Sequence, residues 1–246
     1  MVPLKKTKIN SIAKKVINLE IEALKLLKKS IDRNFDKAVN AIINCQSKII
    51  LCGVGKSGLI AAKIASTMSS VGSPSFSLSA NDCLHGDLGS ISKKDLLILI
   101  SNSGKSEELL PIIKFANRNK VKLIGIVSKK NSSLYKGSDI KILLPEAQEA
   151  GLGIVPTSST SIQLAIGDAL AIAALNKKQF NKNDFSKLHP GGNLGKQLKT
   201  VEDLMVTKNK VPFILESKNL KEAIKIITQK KLGVLIAKNK KGLTTG

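Results

Sequence analysis

The sequence predicts an α/β protein with a doubly wound, five-stranded parallel sheet flanked by helices. From residue 48 onward, short apolar runs alternate with stretches of helical spacing, a pattern typical of parallel sheets. The apolar runs contain few polar residues, as expected of strands that are buried on both faces. With 246 residues, the chain is long enough for one such domain and a smaller second piece.

The N-terminal part of the chain is predicted to be helical. Apolar residues recur there every three or four positions with lysines between them: Ile12, Val16, Leu19, Ala23, Leu26 and Leu27. A second helix is predicted from Phe35 to Ile43. We expect residues 1–45 to form helices that pack on the main domain.

Five strands are predicted in the main domain: Ile49–Cys52, Ser75–Leu78, Leu96–Ile100, Leu123–Val127 and Ile140–Leu144. The predicted helices between and after them are Gly58–Ser70, Glu107–Asn119 and Ser159–Leu175. In sheets of this kind, ligands bind at the carboxyl ends of the strands. The loops that follow the strands are therefore the places where a site is expected.

The C-terminal part of the chain has a different character. After Lys196, the segments Val201–Met205 and Leu220–Thr228 indicate the start of a small separate module. At residues 242–246 a strand is predicted to enter a turn. We therefore expect residues 201–246 to form an incomplete α+β piece.

The net charge of +22, from 40 basic and 18 acidic residues, first suggests a nucleic-acid or membrane partner. Arg33 and Arg118 are the only arginines, although arginine is the residue that reads and stacks on bases. Aromatic residues make up only 3%, so platforms for base stacking are scarce. The lysines are also spread along the chain. The composition favours solvated lysine faces that attract an anionic substrate, such as a phosphate ester, over a nucleic-acid partner.

The cysteines and apolar segments predict a cytoplasmic protein without a membrane partner. The three cysteines have no CxxC spacing, which fits reduced thiols and gives no disulfide or zinc framework: Cys45, Cys52 and Cys83. No continuous apolar segment follows the basic N-terminus, so no signal peptide is expected. The longest apolar stretch, Ile162–Leu175, contains Gln163 and Asp168 and is too short for a bilayer. It predicts a buried helix.

The first predicted loop, residues 53–58 with the sequence GVGKSG, directly follows a strand. Its glycines allow a close approach of the backbone, and the following helix N-terminus attracts an anion. The GxGxxG spacing is a weak dinucleotide signal, and Ser77–Ala80 lacks the acidic residue that would bind a ribose. Lys56 within this loop favours the interpretation that the loop binds a substrate over the interpretation that it binds the pyrophosphate of a dinucleotide. A tight strand-to-helix turn is the alternative interpretation of the glycines.

Two further loops are rich in hydroxyl groups. Residues 101–108, SNSGKSEE, place serines and backbone N–H groups at a helix start, which suits a phosphate. The alternative is an ordinary serine N-cap with a capping-box glutamate. In the third loop, residues 157–161 are five consecutive hydroxyl residues, more than a cap requires. Together the two loops favour a sugar phosphate over a nucleotide base.

The titratable candidates are few. His85 and His189 are the only histidines, and both lie in glycine-rich loops. Glu108, Glu146 and Glu149 lie next to the hydroxyl-rich loops. We predict no metal site, because the two histidines lack a carboxylate at ligand spacing and are weak candidates.

Taken together, these segments resemble the sugar isomerase (SIS) family. The segments are GVGKSG at 53–58, HGDLG at 85–89, SNSGKSEE at 101–108, PTSST at 156–160, GDALA at 167–171 and HPGGNLG at 189–195. The resemblance covers residues 10–246 and implies an SIS-type sandwich at 46–198. It also implies a homotetramer with a shared active site, followed by a tandem CBS pair. Only the first part of one CBS motif is present, at 201–246.

The resemblance also implies the site residues. Those that match the catalytic positions of the family are Lys56, Glu108, Glu149 and His189. The implied substrate-binding residues are Gly55, Ser57, His85, Ser101, Asn102, Ser103, Ser106, Thr157, Ser158, Ser159 and Thr160. The stretch from Glu149 to Thr157 is one residue shorter than usual, and Glu149 is chosen over Glu146. Lys105 stands where a glutamate is common, and no catalytic role is assigned to it.

The implied activity is the interconversion of D-arabinose 5-phosphate and D-ribulose 5-phosphate through an enediol, without a cofactor. Glu149 is expected to be the base, with a pKa tuned toward neutrality. Lys56 would stabilise the charge on the carbonyl oxygen, and Glu108 would orient hydroxyls or hold Lys56. His189, from a neighbouring subunit, would open the sugar ring. The product would feed the synthesis of Kdo for lipopolysaccharide or capsules.

Other functions remain open at this point. Another isomerase of the same family could act on a hexulose or heptose phosphate. A non-catalytic sugar-phosphate-binding regulator would usually carry a DNA-binding helix-turn-helix before the domain, whereas residues 9–45 predict amphipathic helices suited to packing. A dinucleotide enzyme is disfavoured by the missing ribose-binding carboxylate.

Overall fold

The computed structural model describes residues 9–189 and 201–246. The chain divides into two compact units, residues 1–190 and 191–246. Each unit has its own sheet, of five strands in the first and two in the second. The two units are therefore described separately.

Two helices precede the first sheet, as the spacing of apolar residues predicts. Helix α1 is Ile9–Ser30 and helix α2 is Arg33–Ile43. Asp32 caps α2, because its side chain accepts a hydrogen bond from the backbone N–H of Asn34 at 2.8 Å. The residues that these helices bury include Leu27 of α1 and Ile42 of α2.

The sheet of the first unit has five parallel strands in the order β2-β1-β3-β4-β5, which confirms the predicted fold class. The strands are β1 Ile49–Gly53, β2 Ser75–Ser79, β3 Leu96–Ser101, β4 Lys122–Val127 and β5 Ile140–Leu143. Every residue of β1 and β3 is buried, as the apolar runs predict. The chain reverses its direction across the sheet between β1 and β3. This switch point opens a crevice at the carboxyl ends of the strands.

Helices cover both faces of this sheet. They are α3 Lys56–Ser70, α4 Ala80–Cys83, α5 Leu109–Asn119, α6 Ser133–Gly137, α7 Ser158–Lys177 and α8 Lys182–Leu188, with a 3₁₀ turn at Asp87–Ser90. Helices α3, α5 and α7 are predicted to within two residues at each end. The short helices α4, α6 and α8 are not predicted, because so few residues show no period.

The alternating side chains of the strands form two apolar cores. One core contains Leu51 and Ile98 with residues of α1, α2, α3 and α7, and the other contains Ile50 and Leu99 with residues of α4, α5 and α6. The sheet is thus wound on both faces. The three cysteines carry free thiols, with Cys52 buried in the second core.

Helix α7 is long and apolar enough, by length and composition alone, to cross a membrane. It instead packs against α1, α2 and α3, and half of its most apolar stretch is buried in the protein. Core helices of water-soluble folds pass the same test of length and composition, so this test is weak evidence for a membrane segment. The predicted buried helix at Ile162–Leu175 is confirmed.

The second unit is a small β-α-β arrangement. Helix α9 is Val201–Leu204, strand β6 is Phe213–Leu215, helix α10 is Leu220–Lys230 and strand β7 is Ile236–Lys238. The two strands are parallel, and Lys238 forms an antiparallel bridge with Thr244. Helix α10 buries no residue. The predicted helix at Leu220–Thr228 is present, and the CBS-like character of this unit stays a prediction.

Candidate active site

A cleft of about 690 Å³ lies at the carboxyl ends of β1 and β2. Its walls include the loop after β1, the end of β2 with α4, and Glu108 at the start of α5. This position follows from the sheet topology, since the loops after β1 and β3 flank the switch point. Among the predicted site residues, Gly55 and Glu108 line the cleft directly.

The glycines of the first loop have different roles. A Cβ on Gly53 would lie 2.7 Å from the backbone of Ser57, and a Cβ on Gly58 would lie 2.8 Å from the carbonyl oxygen of Gly53. These two glycines form the tight strand-to-helix turn. Gly55 faces open space, with φ of +58° as the N-cap of α3. It therefore leaves room for a ligand beside the exposed Lys56 and the half-buried Ser57, the first two residues of α3.

The second loop is held by its own hydroxyl groups. The backbone N–H of Gly104 donates to Oγ of Ser101 at 3.0 Å, and Oγ of Ser101 lies 3.2 Å from Oγ of Ser106. Oγ of Ser103 accepts a longer bond, 3.3 Å, from the N–H of Lys105. Ser101 is buried and Ser103 is exposed. The loop is a compact turn at the start of α5, the place where helix N–H groups attract an anion.

Asn102 has an internal partner that the sequence does not reveal. Its Oδ1 accepts a hydrogen bond of 2.6 Å from Oγ of Ser128, which follows β4. The backbone of Ser128 also donates to the carbonyl oxygen of Asn102 at 3.1 Å. The Nδ2 group of the exposed Asn102 remains available as a donor, while its Oδ1 is used in the hydrogen bond with Ser128.

The third loop already holds a carboxylate. Oε2 of Glu149 accepts hydrogen bonds from the N–H of Thr157 at 2.8 Å, from Oγ1 of Thr157 at 3.1 Å and from the N–H of Ser159 at 3.3 Å. The positive end of α7 favours this arrangement. Thr160 donates its hydroxyl to the carbonyl oxygen of Thr157 at 2.8 Å. Oγ of Ser158 is buried and has no partner among the described residues.

The pKa of Glu149 is lowered. Burial alone would raise the pKa of this carboxyl, but hydrogen bonds from Ser159 and Thr157 to the charged form outweigh it. The expectation of a pKa tuned toward neutrality is therefore wrong. Glu149 is instead a carboxylate that stays ionised at neutral pH and is held in one orientation.

Helices α3 and α7 pack against each other. Nζ of Lys63 binds Oδ1 of Asp168 at 2.6 Å, and beyond the ends of the two helices Nζ of Lys178 binds Oγ of Ser73 at 2.9 Å. These two contacts indicate that the helices run in the same direction. Lys56 starts α3, whereas Glu149 is held at the start of α7 and lines a pocket with residues of α1. Neither residue lines the cleft.

Glu146 lies elsewhere. Its Oε1 pairs with Nζ of Lys129 at 2.5 Å, and 70% of its side chain is exposed. Glu149 is half-buried and lines a second pocket, of about 280 Å³, with apolar residues of α1 such as Val16 and Leu19. The choice of Glu149 over Glu146 is consistent with these positions.

The two histidines occupy different places. His85 is exposed in the turn between Asp82 and Asp87, two residues that line the cleft. His189 ends α8, where its ring stacks on Phe185 and its Nδ1 lies 2.8 Å from the carbonyl oxygen of Phe185. That contact places the proton on Nδ1 and leaves Nε2 as the acceptor of the neutral ring. His189 is not among the residues that line the cleft, and the rest of HPGGNLG lies outside the described residues.

Several cleft residues are missing from the sequence prediction. Ser77, Ser79, Asn81, Asp82 and Asp87 all line the cleft. Asp87 belongs to the HGDLG motif, which is a signal that could have identified it. The others precede that motif and become neighbours of the first loop only through the pairing of β2 with β1.

In the described part of the chain, no group of three histidine, cysteine or acidic residues is arranged to hold a metal ion. The polar groups that line the cleft are hydroxyls, an amide and carboxylates, together with the backbone of the first loop. Such groups can hydrogen-bond sugar hydroxyls, because each offers a donor, an acceptor or both. The arrangement suits recognition of the hydroxyl groups of a sugar.

Comparisons with known proteins agree with this geometry. Residues 42–173 match the SIS domain family. The arabinose 5-phosphate isomerase KdsD of Yersinia pestis is 40% identical over 225 residues, which cover 91% of this chain and 69% of that protein. An uncharacterized protein of Rickettsia prowazekii is 38% identical over 229 residues, with coverage of 93% and 72%. A solved structure from E. coli CFT073, in complex with arabinose 5-phosphate, superposes with a TM-score of 0.72 and 35% identity, covering 76% of this chain and all of that one.

Proposed function

The chain belongs to the SIS domain family, and on that premise we propose that it is an aldose–ketose isomerase that interconverts D-arabinose 5-phosphate and D-ribulose 5-phosphate. The observation that carries this proposal is the identity of about 40% to named arabinose 5-phosphate isomerases over 91% of the chain. The cleft at the switch point supports it. No organic cofactor is needed, because the reaction only moves protons between C1, C2 and their oxygens.

We assign the base to Glu149. Its ionised state at neutral pH is the form that accepts the proton from C2, and its bonds to α7 fix its orientation. All three of these bonds go to Oε2. The side chain of Ser159 also hydrogen-bonds the carboxylate, which would carry the proton between C2 and C1 of the enediol. A rigidly placed base of this kind contributes through position as well as basicity.

Lys56 supplies positive charge to the same step. As the proton leaves C2, negative charge develops on the carbonyl oxygen, and an ammonium group at a helix N-terminus can stabilise it. Lys56 at the start of α3 and Glu149 at the start of α7 belong to helices that pack against each other. Glu108, which lines the cleft, would orient the sugar hydroxyls or hold Lys56.

The phosphate is assigned to the second loop. Two N–H groups at the start of α7, those of Thr157 and Ser159, already bind the carboxylate of Glu149. A phosphate on the same groups would place like charges side by side, which is unfavourable. The loop that contains Ser101, Ser103 and Ser106 carries no such internal anion among the described contacts. Thr160 would then contribute its hydroxyl at the edge of the site, whereas the hydroxyl of Ser158 is buried.

Ring opening is assigned to His189. With the Nδ1 proton donated to the carbonyl oxygen of Phe185, Nε2 can take the proton of the anomeric hydroxyl and return it to the ring oxygen as the bond between C1 and that oxygen breaks. His189 does not line the cleft of its own chain, which is also true of Lys56 and Glu149. In keeping with the shared active site that the family resemblance implies, we propose that a neighbouring subunit supplies His189. His85, beside Asp82 and Asp87, would bind substrate.

A homotetramer in the cytoplasm is part of the same proposal. Helix α1 exposes several large apolar residues that suit contacts between subunits: Ile9, Ile12, Ile17, Ile21 and Leu24. We propose neither a nucleic-acid nor a membrane partner. The product would enter the synthesis of Kdo for lipopolysaccharide or capsules.

The decisive experiment supplies the purified protein with D-arabinose 5-phosphate and measures the formation of D-ribulose 5-phosphate. Ribose 5-phosphate and fructose 6-phosphate serve as controls for related isomerases. Turnover of the arabinose ester alone is the expected result. Tight binding of one ester without turnover of any would instead favour a regulator, and turnover of fructose 6-phosphate would favour a different isomerase.

A further inference from the structure

The loop assigned to the phosphate does not fold on its own. Its central residue, Gly104, has φ of +65°, and a Cβ there would lie 2.5 Å from Cγ2 of Val127. The carbonyl oxygen of Gly104 accepts a 3.1 Å bond from the N–H of Leu134. The loop is therefore built against the segment that follows β4, residues 128–134.

Ser128 makes the most direct connection between the two segments. It is 7% exposed and binds Asn102 twice, through its backbone N–H at 3.1 Å and its hydroxyl at 2.6 Å. The hydroxyl holds Oδ1 of Asn102, so the amide can point its Nδ2 donors in only one direction. Because Asn102 follows Ser101 directly, the same contact limits how far the loop can move.

We propose that Ser128 is a positioning residue for substrate binding, which acts through Asn102 to hold the 101–106 loop in its phosphate-binding shape. This inference rests on the proposed function, because it concerns the same site. Ser128 has no contact with substrate in this role. Its hydroxyl keeps Asn102 oriented and thereby keeps the loop's donors in place before the sugar phosphate arrives, which lowers the cost of binding.

The test begins with Ser128→Ala, compared with wild type in the isomerase assay. Loss of one buried hydrogen bond should raise KM for D-arabinose 5-phosphate roughly threefold to tenfold. The phosphate is remote from C1 and C2, so kcat should stay within about twofold of wild type. Ser128→Thr, which keeps the hydroxyl, should restore most of the affinity.

Ser69→Ala is the matched control. Ser69 is half-buried and also donates a 2.6 Å bond, but to the carbonyl oxygen of Ser75 at the start of β2, away from the 101–106 loop. Its loss should lower the melting temperature without a change in KM. An equal rise in KM for Ser69→Ala would overturn the inference, because the effect would then be a general loss of rigidity.

A double-mutant cycle tests whether Ser128 acts on substrate binding through Asn102. Asn102→Ala should raise KM, and adding Ser128→Ala to it should have little further effect, because the two side chains act through one bond. Independent, multiplicative effects would overturn the inference. If Ser128→Ala fails to fold, Ser128→Gly, which also lacks the hydroxyl, takes its place in the cycle.

The binding of inorganic phosphate tests the role of Ser128 without depending on isomerase activity. Phosphate should raise the melting temperature of wild type, and the rise should be smaller for Ser128→Ala. If wild type binds phosphate but turns over no ester, the proposed function fails while this comparison still decides the role of Ser128. Equal phosphate binding by both proteins would overturn the inference.

Discussion

Lys63 and Asp168 join α3 to α7 through two hydrogen bonds, of 2.6 and 2.8 Å from Nζ to the two carboxylate oxygens. The pair lies roughly two to three turns along the helices from the termini that carry Lys56 and Ser158. The two helices also pack directly beside this pair, where Gly167 of α7 lies against Ile64 of α3. We expect the pair to help hold α3, which begins at Lys56, against α7, whose first turn binds Glu149.

Asp168→Asn should lower activity more than stability. The pair is 47% and 40% exposed, so its loss should cost only about 0.5–1 kcal/mol of unfolding free energy. A small shift of α3 against α7 should nevertheless reduce kcat roughly tenfold or more, because misplaced catalytic groups are costly. Urea unfolding and steady-state kinetics measure the two effects. Glu22→Gln, which breaks an exposed pair within α1, is the control and should leave kcat unchanged.

Glu149→Gln should abolish most of the activity while the fold is kept. Loss of a general base typically lowers kcat by about 10²–10⁴, and glutamine still accepts the N–H bonds of Thr157 and Ser159 through its carbonyl oxygen. Glu146→Gln, at the exposed Lys129 pair, should retain activity. Full activity of Glu149→Gln would show that another residue is the base.

The lowered pKa of Glu149 also predicts a pH dependence of stability. The pKa of Glu149 in the folded protein lies below the ordinary value of 4.5. The ionised carboxylate therefore makes its full contribution to the free energy of unfolding above pH 4.5, and this contribution is lost as the pH falls through the folded-state pKa. Glu149→Gln should therefore unfold with a weaker pH dependence than wild type below pH 4.5. Urea unfolding between about pH 3 and pH 7, recorded for both proteins, gives the comparison.

Asp95 should make a larger contribution than Glu149 to the part of the unfolding free energy that is lost in acid. Its buried carboxylate binds Nζ of Lys48 at 2.9 Å and the N–H of Ser92 at 2.6 Å; these bonds outweigh burial and lower its pKa from 3.8 to about 2. The resulting stability, about 2 kcal/mol, is present above pH 3.8 and is lost as the pH falls toward 2. Asp95→Asn should remove this pH dependence, as measured by thermal melting at about pH 3 and pH 7. An unchanged dependence would contradict the assignment.

Gly104→Ala should destabilise the protein by about 2 kcal/mol or more, from a positive φ and contacts with Ser132 and Val127 too close for a Cβ. For a chain of this size, that corresponds to a fall in melting temperature of roughly 4 °C or more. Gly89→Ala is the control, because a Cβ there meets nothing within 4 Å. Equal melting temperatures for the two variants would show that the 101–106 loop shifts to accommodate the added Cβ.

The sheet and the long helices are predictable because each has enough residues to show its own pattern. Strand β3 is a run of buried apolar residues, and α7 is a long apolar stretch, so neither depends on its neighbours for recognition. Helix α4 has only four residues and begins directly after β2, where the side chain of Ser79 accepts a 3.3 Å bond from the N–H of Asp82. Its prediction would need the fold to be known first.

The site is predictable in the same uneven way. The loops that contain Lys56 and Ser101 can be identified because each follows a strand, and the loop at Thr157 because of its run of hydroxyl residues. The bond from Ser128 to Asn102 joins residues 26 positions apart and depends on the pairing of β3 with β4. The direction of the pKa shift of Glu149 could not be predicted from sequence, because it depends on hydroxyl and N–H groups of Ser159 and Thr157, ten and eight residues away.

The position of α7 has a consequence for synthesis on the ribosome. Helices α1, α2 and α3 are made early, but the helix that covers all three ends at residue 177. Until that residue has left the exit tunnel, the apolar side chains of α1, α2 and α3 that pack against α7 are accessible to other chains and to chaperones. The core of the first unit is therefore complete only after all five of its strands have been translated.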